Sequence, residues 1–312
     1  MLNGNILITG GAGALGRAFI HRATTEGWNC DITIYSTDVM KHHRIRKMYP
    51  GVGCITGDIR DFTTLYNAMV GKHYVLHFAA RKHIPEGERD SIDNYEVNVG
   101  GSLNVALAAH QIGTPHVLGV STDKAAHPAN LYGATKMINE KVFQEYSRLG
   151  SDTAFHLVRF GNILESTGSV IQVWKEALER GESVKITDPQ MTRFWLSPAQ
   201  AVDWVLNALD VESGNILIPK MPALSIGKLA QYVLPDSYDP EDIQIIPLRP
   251  GEKLHECLLT KDEARIAFGH SDHFILPPTT SGKMPYHLVE SAYTSDMAPE
   301  LTKDELMELL NG

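Results

Sequence analysis

A short apolar strand running directly into a glycine-spaced turn and a helix is the segment that most limits what this chain can become. Residues 5–9 read Asn-Ile-Leu-Ile-Thr, and residues 10–16 read Gly-Gly-Ala-Gly-Ala-Leu-Gly. Leu15, Ala18 and Phe19 then fall on one side of a helix. Gly10 suits the tight turn, Gly13 lets the backbone come close to a pyrophosphate, and Gly16 lets helix and strand pack closely. The helix start, at Ala14 and Leu15, offers free N–H groups and a partial positive charge to an anion.

Further apolar runs at 31–35, 52–56, 74–78, 117–120 and 155–160 read as strands, with helical patterns between them. Strands alternating with helices predict an α/β fold with a doubly wound, Rossmann-like parallel sheet. Residues 1–165 are assigned to this nucleotide-binding domain. Residues 166–312 are assigned mainly to a smaller C-terminal substrate lobe and tail, with part of the later chain returning to the sheet. In that later part a capping box at Ser197 and Gln200 opens a helix through Leu209. A strand at 215–218, a helix at 225–233, a surface loop at 277–285 and a final amphipathic helix after Thr302 follow.

Composition narrows the partners. With 28 Lys and Arg against 37 Asp and Glu, the net charge is -9, and no basic stripe is present, so nucleic acid is not the expected partner. No apolar run reaches the roughly 20 residues of a membrane span. The chain opens directly into a strand with no secretory signal. Cys30, Cys54 and Cys257 are odd in number and widely spaced, which favours a reducing cytoplasm over a disulfide or zinc framework. His83, His127 and His255 show no paired spacing that would hold a metal, and no metal site is expected.

Residues 121–136 read Ser-Thr-Asp-Lys-Ala-Ala-His-Pro-Ala-Asn-Leu-Tyr-Gly-Ala-Thr-Lys. They follow the strand at 117–120, so 121–124 should sit at its carboxyl end, where open α/β sheets bind ligands. Tyr132 and Lys136 are four apart on the following helix and share a face. A lysine ammonium near a phenol lowers the tyrosine pKa toward a useful value. Asp123 and Lys124 in isolation would read as a solvated pair in a turn. Directly after Ser121-Thr122 at that edge, they are candidate proton carriers.

The dinucleotide's other contacts follow from the strand tips. Ser36 ends the second strand, followed by Thr37, Asp38, Lys41 and Arg44. Lys41 and Arg44 can neutralise a 2′-phosphate, which favours NADP; Asp38, two residues on, would suit NAD. Asp58, beside Ile59, is placed to accept from the adenine amine, and Ala79-Ala80 let a nucleotide pass close to the backbone. Asn98, in the helix after the fourth strand, is expected to hold backbone near the fifth strand.

The blocks at 121–136, R-F-G-N-I-L-E-S-T-G-S-V from Arg159, I-T-D-P-Q-M-T-R-F-W-L from Ile186 and R-P-G-E-K-L-H-E at 249–256 resemble those of inverting UDP-N-acetylglucosamine 4,6-dehydratases. These are extended short-chain dehydrogenase/reductases, which share the G-x-x-G-x-x-G spacing of 10–16. The resemblance runs from about Asn5 to Cys257. It implies a bound NADP, a UDP-sugar substrate and a homo-oligomer. Thr37 stands where that family commonly has an arginine, so a 2′-phosphate would rely on Lys41 and Arg44. The reaction needs a base at O4, a base at C5 and an acid at C6. Tyr132 with Lys136 suits O4, and Thr122 can hydrogen-bond the C4 oxygen. The resemblance implies Asp123 as the acid and Lys124 as the C5 base, for which Lys124 must be neutral. It further implies that Lys82, Asn162, Arg193 and Arg249 approach the sugar nucleotide, with Glu252 at the uridine ribose. Tyrosine at 132, where retaining relatives carry methionine, favours inversion at C5.

Two other readings share parts of this pattern. A sugar-nucleotide 4-epimerase or reductase needs Tyr132 and Lys136 but not Asp123-Lys124. A non-catalytic NADP-sensing protein needs only the glycine turn.

Overall fold

Strand β1 (Gly4–Thr9) is buried along its last four residues and lies third from one edge of a nine-stranded sheet. The computed structural model describes residues 1–164, 169–235, 238, 243–278 and 289–311. The expected loop at 277–285 falls almost wholly outside them, as do residues 165–168 of the Arg159 block. Strands β2 (Cys30–Ser36) and β3 (Gly53–Thr56) extend the sheet to one side of β1. Strands β4 (Tyr74–His77), β5 (His116–Thr122) and β6 (Ala154–Phe160) extend it to the other. All these pairings are parallel. The order β3-β2-β1-β4-β5-β6 reverses direction at β1, so a crevice opens where the β1 and β4 crossovers diverge.

The later chain returns to this sheet. The strand Ile216–Pro219 pairs parallel to β6, and His273–Leu276 pairs antiparallel to it in turn. The helix Pro198–Leu209 begins with the expected Ser197–Gln200 capping box and buries Ala201, Val202 and Val205. It joins an apolar core that runs from Ile6 to Leu276. A second apolar cluster gathers Ile171, Trp174, Val184, Trp195, Leu229 and Leu306. Between the two lies a three-stranded sheet of Asn162–Ile163, Thr192–Leu196 and Ala223–Ser225. Among the described residues, no helix is long and apolar enough to cross a membrane.

Two local features differ from the sequence expectation. The continuous helical run 91–112 carries a π-helical turn, Glu96–Gly100, between its α-helical parts Ser91–Tyr95 and Gly101–Ile112, and this turn contains Asn98. Asn98 does not hold the fifth strand. Its Oδ1 accepts from Arg81 N at 2.8 Å and its Nδ2 donates to Arg81 O at 3.1 Å, fixing the segment after β4. A second bond from Nδ2 to Thr135 Oγ1 ties that segment to the helix carrying Tyr132. A wider helical turn re-aims a buried amide that regular geometry would point elsewhere.

Candidate active site

The nucleotide end of the site is built from backbone. Gly10 adopts φ +66°, and a Cβ there would sit 2.7 Å from Ala79 N, so only glycine lets β1 and the β4 exit meet. The helix Ala14–Thr25 has Gly13 at its N-cap, with no side-chain cap and no acidic residue in its first turn. The helices that start at Val39, Phe62, Leu131, Pro198 and Ile226 are each capped by a side chain. The amides of Ala14, Leu15 and Gly16 are thus left to an outside acceptor at the sheet's switch point. This is a fit for a dinucleotide pyrophosphate.

At the β2 tip, Ser36 Oγ bonds His42 Nε2 at 2.7 Å, and burial holds His42 below its ordinary range. His42 and Ile45 form the buried side of the helix Val39–Met48, while Lys41 and Arg44 are exposed. Asp38 caps that helix through Lys41 N, and its Oδ2 lies 3.1 Å from Lys41 Nζ. Thr37 is exposed beside them. Asp58 is chelated by Arg60, through Oδ1 to Nε at 2.9 Å and Oδ2 to Nη2 at 2.6 Å, so its carboxylate is already engaged in the free chain. Ile59 is buried against Gly101. Ala79 and Ala80 are partly buried at the β4 exit.

The sugar end gathers around the exit of β5. Thr122 Oγ1 donates to Asp123 Oδ1 at 2.8 Å, and Lys124 Nζ donates to the same oxygen at 3.0 Å. Lys124 Nζ also reaches Asn162 Oδ1 at 3.3 Å and Glu256 Oε1 at 3.3 Å. Asp123 exposes 0% of its side chain, whereas Lys124 exposes 16%, so an incoming ligand meets Lys124 first. Among the described residues, the buried Oδ2 of Asp123 has no hydrogen-bond partner. Burial pushes the Asp123 carboxyl well above its ordinary range, and Glu256 adds to this against the pull of Lys124. A carboxyl held that way favours its protonated form.

The two amines and the phenol depart from the sequence expectation. Burial lowers Lys124, but Asp123 and Glu256 outweigh it, and the group is raised overall. The depressed, neutral Lys124 expected from sequence is therefore not its resting state in the free chain. Burial pushes Tyr132 up to about 12, opposed by the charge of Lys124 and a hydrogen bond with Thr122 rather than by Lys136. Burial instead lowers Lys136 to about 8, against the nearby Glu140. Lys82 is lowered by its surroundings and then by the charge of Lys124, which places it beside the same cluster.

The remaining candidates divide. Arg193 is buried, and its guanidinium donates to Thr192 O, Leu254 O and Lys253 O at 2.7, 3.2 and 3.0 Å. It thus clamps the 252–256 segment, with Glu252 at 3.8 Å. The turn 249–252 rests on the start of the Tyr132 helix through Asn130 Nδ2 to Gly251 O at 3.0 Å. Arg249 is exposed at that turn and is not drawn into the Asp123–Lys124 cluster. A cleft of about 460 Å³, lined by Pro128–Leu131 residues, Pro250 and Gly251, opens beside it but includes none of Asp123, Lys124 and Tyr132. His255 Nδ1 bonds Thr192 Oγ1 at 2.8 Å.

Three buried charged residues were not singled out in the sequence. Glu256 lies against Lys124, and Arg159 binds Glu140 beneath Lys136. The signal for Glu256 was its position: it is the last of four charges in Arg-Pro-Gly-Glu-Lys-Leu-His-Glu and directly precedes the buried strand Cys257–Leu259.

Comparison with known proteins shows the family and the fold. A family model described as polysaccharide biosynthesis protein matches residues 6–278. The chain is 32% identical to a Campylobacter jejuni protein named UDP-N-acetylglucosamine 4,6-dehydratase (inverting), over 100% of this chain and 98% of that one. It is 34% identical to a Rickettsia massiliae protein named UDP-glucose 4-epimerase, over 98% and 94% of the two chains. The X-ray structure of Pen from Bacillus thuringiensis shares the fold with a TM-score of 0.90 and 30% identity, over 99% and 97% of the chains.

Proposed function

The chain belongs to the polysaccharide biosynthesis protein family, and from that premise we propose that it is an NADP-dependent UDP-N-acetylglucosamine 4,6-dehydratase that inverts C5. The observation that carries this reading is the joined Thr122, Asp123 and Lys124 at the β5 exit, with Asp123 wholly enclosed. A 4-epimerase has no use for a buried acid–base pair at that place.

The uncapped Ala14–Gly16 amides would hold the pyrophosphate, and Lys41 with Arg44 the 2′-phosphate. A nicotinamide held there would supply the hydride acceptor that oxidation at C4 needs and the hydride donor that reduction at C6 needs. Tyr132, once its raised phenol has itself given up a proton, takes the proton of the C4 hydroxyl, with Thr122 bonded to the same oxygen. Lys124 removes the proton at C5, which the adjacent ketone makes acidic. Asp123, kept protonated by burial, hands its proton to the departing C6 hydroxyl, which leaves as water. Lys124 then returns a proton to C5. For Lys124 to begin as a base its ammonium must first give up a proton, and exclusion of water by the substrate favours this neutral form.

Lys82, Asn162, Arg193, Arg249 and Glu252 are the proposed contacts to the sugar nucleotide. Asn162 and Lys82 already adjoin Lys124; Arg249, exposed, is free in position to meet a diphosphate. Exposed Ile92, Tyr95, Leu103, Met137 and Ile138 lie on helices that pack together, which supports a homo-oligomer. Free Cys30, Cys54 and Cys257 suit the cytoplasm.

The second reading, a UDP-sugar 4-epimerase, is favoured by the name of the Rickettsia relative. Mass spectrometry of UDP-N-acetylglucosamine after incubation with the protein separates the two. The dehydratase gives a product lighter by one water; a product of unchanged mass overturns it. Proton NMR of fresh product in deuterated water then reads the C5 configuration, and a D-configured ketosugar refutes inversion.

A further inference from the structure

Glu256 is 3% exposed and belongs to a segment more than a hundred residues beyond Lys124, yet its Oε1 lies 3.3 Å from Lys124 Nζ. Its backbone is fixed by Glu256 N donating to Ser295 Oγ at 2.9 Å. Its carboxylate faces three cations: Lys124, Arg193 Nε at 3.9 Å and Lys253 Nζ at 3.8 Å. Lys253 is itself anchored to Ala126 O at 2.9 Å, so the loop after Lys124 and the 253–256 segment are tied together. Among the described residues, Oε2 of Glu256 is buried without a hydrogen-bond partner, as is Oδ2 of Asp123 across Lys124.

The two carboxylates flanking Lys124 are therefore unequal. Asp123 has one cation and a hydroxyl, while Glu256 has three cations. Burial acts against the charge of both, but the cations hold Glu256 below its ordinary range and Asp123 stays above its own. Only Glu256 is built to remain charged.

We propose that Glu256 is the positioning residue of the acid–base pair: its ionised carboxylate, fixed by Arg193 and Lys253, aims Lys124 Nζ and carries the counter-charge when Nζ takes up the sugar's C5 proton, leaving Asp123 in possession of its own. The C5–H bond breaks, its electron pair stays with the ketosugar, and the new N–H bond forms beside an anion already in place. A carboxylate serves a catalytic histidine in the same way. This inference rests on the dehydratase reading.

The test compares wild type with Glu256→Gln and Glu256→Asp as full-length protein, using UDP-N-acetylglucosamine and following water loss across pH. Removing one negative charge lowers the pKa of both neighbours, so the bell-shaped kcat profile of Glu256→Gln should move toward acid by about one pH unit. Its kcat should fall about a hundredfold, with KM changed by less than about threefold. Glu256→Asp should keep the wild-type profile and recover at least roughly a tenth of the activity. Should Glu256→Gln fail to fold by circular dichroism, Glu256→Asp decides alone: a shifted profile overturns the proposal. Active wild type with an unshifted Glu256→Gln profile overturns the role of Glu256 and leaves the dehydratase reading standing. Wild type that releases no water overturns both.

Discussion

Arg159 and Glu140 meet in a two-pronged ion pair inside the protein, Nε to Oε1 at 2.8 Å and Nη2 to Oε2 at 2.7 Å, each residue 1% exposed. Glu140 lies one turn past Lys136 and two past Tyr132 on the same helix face, so the pair fixes that helix to β6. Ser121 Oγ donates to the same carboxylate, and Glu263 takes the other side of Arg159. Arg159→Met leaves Glu140 buried without its cation, which costs about 3–5 kcal/mol. A lower urea midpoint is expected, with part of it restored in the double variant carrying Glu140→Leu. Wild-type stability in Arg159→Met would contradict this account.

Acid should unfold the protein through its interior histidines. His77 sits between Thr9 Oγ1 at 2.8 Å and Ser102 Oγ at 2.9 Å, and burial, then the charge of Lys136, lowers it to about 3. Burial, then His116, lowers His156 to about 4. Both folded values lie below the ordinary value of 6.5. The unfolded chain therefore binds protons first as pH falls, and stability present above that value is lost as pH drops toward the folded values. Between about pH 7 and pH 5 the loss is on the order of 2 kcal/mol per histidine. Urea denaturation at the two pH values reads it; equal midpoints would show that neither histidine is held neutral.

What the residues disclosed in advance is what local spacing controls. The strand, glycine turn and helix at 4–25 are contiguous, and the four-residue step from Tyr132 to Lys136 needs only helix geometry. Asp123 and Lys124 are neighbours in the chain, at a strand end already marked by β-branched residues. Glu256 meets Lys124 across a long stretch of intervening fold, and no periodicity reports such a meeting. The raised Lys124 follows from Asp123 first and then from that unseen neighbour: the expectation of a lowered value counted burial and omitted the pull of two carboxylates. Asn98 was misplaced for a similar reason, because a π-turn alters where a side chain points without changing the apolar pattern.

Cofactor choice turns on Lys41. Its ammonium lies 3.1 Å from Asp38 Oδ2, so a 2′-phosphate competes with a carboxylate that also caps the helix. Lys41→Ala should weaken NADP binding about tenfold and leave NAD within roughly twofold, as expected for one charge-assisted bond to the extra phosphate. Fluorescence titration with each dinucleotide measures both. Equal losses would mean that Lys41 acts on the helix rather than on the phosphate.

Lys124 separates binding from chemistry. Its contacts are Asp123, Asn162 and Glu256, all at the sugar end, and none involves the Gly10–Gly16 turn. Lys124→Ala should therefore leave dinucleotide affinity within about twofold while lowering kcat by at least about a hundredfold, the scale of one general base. Asp123→Asn should differ in kind. Its amide can still accept from Thr122 and Lys124 but has no acidic proton for the C6 hydroxyl, so Lys124 can remove and return the C5 proton without water leaving. In deuterated water, sugar recovered from Asp123→Asn should carry deuterium at C5 with no dehydrated product, and sugar from Lys124→Ala should carry none. Deuterium at C5 in the Lys124→Ala sample would assign the C5 base to another residue, and continued water loss by Asp123→Asn would remove Asp123 as the acid.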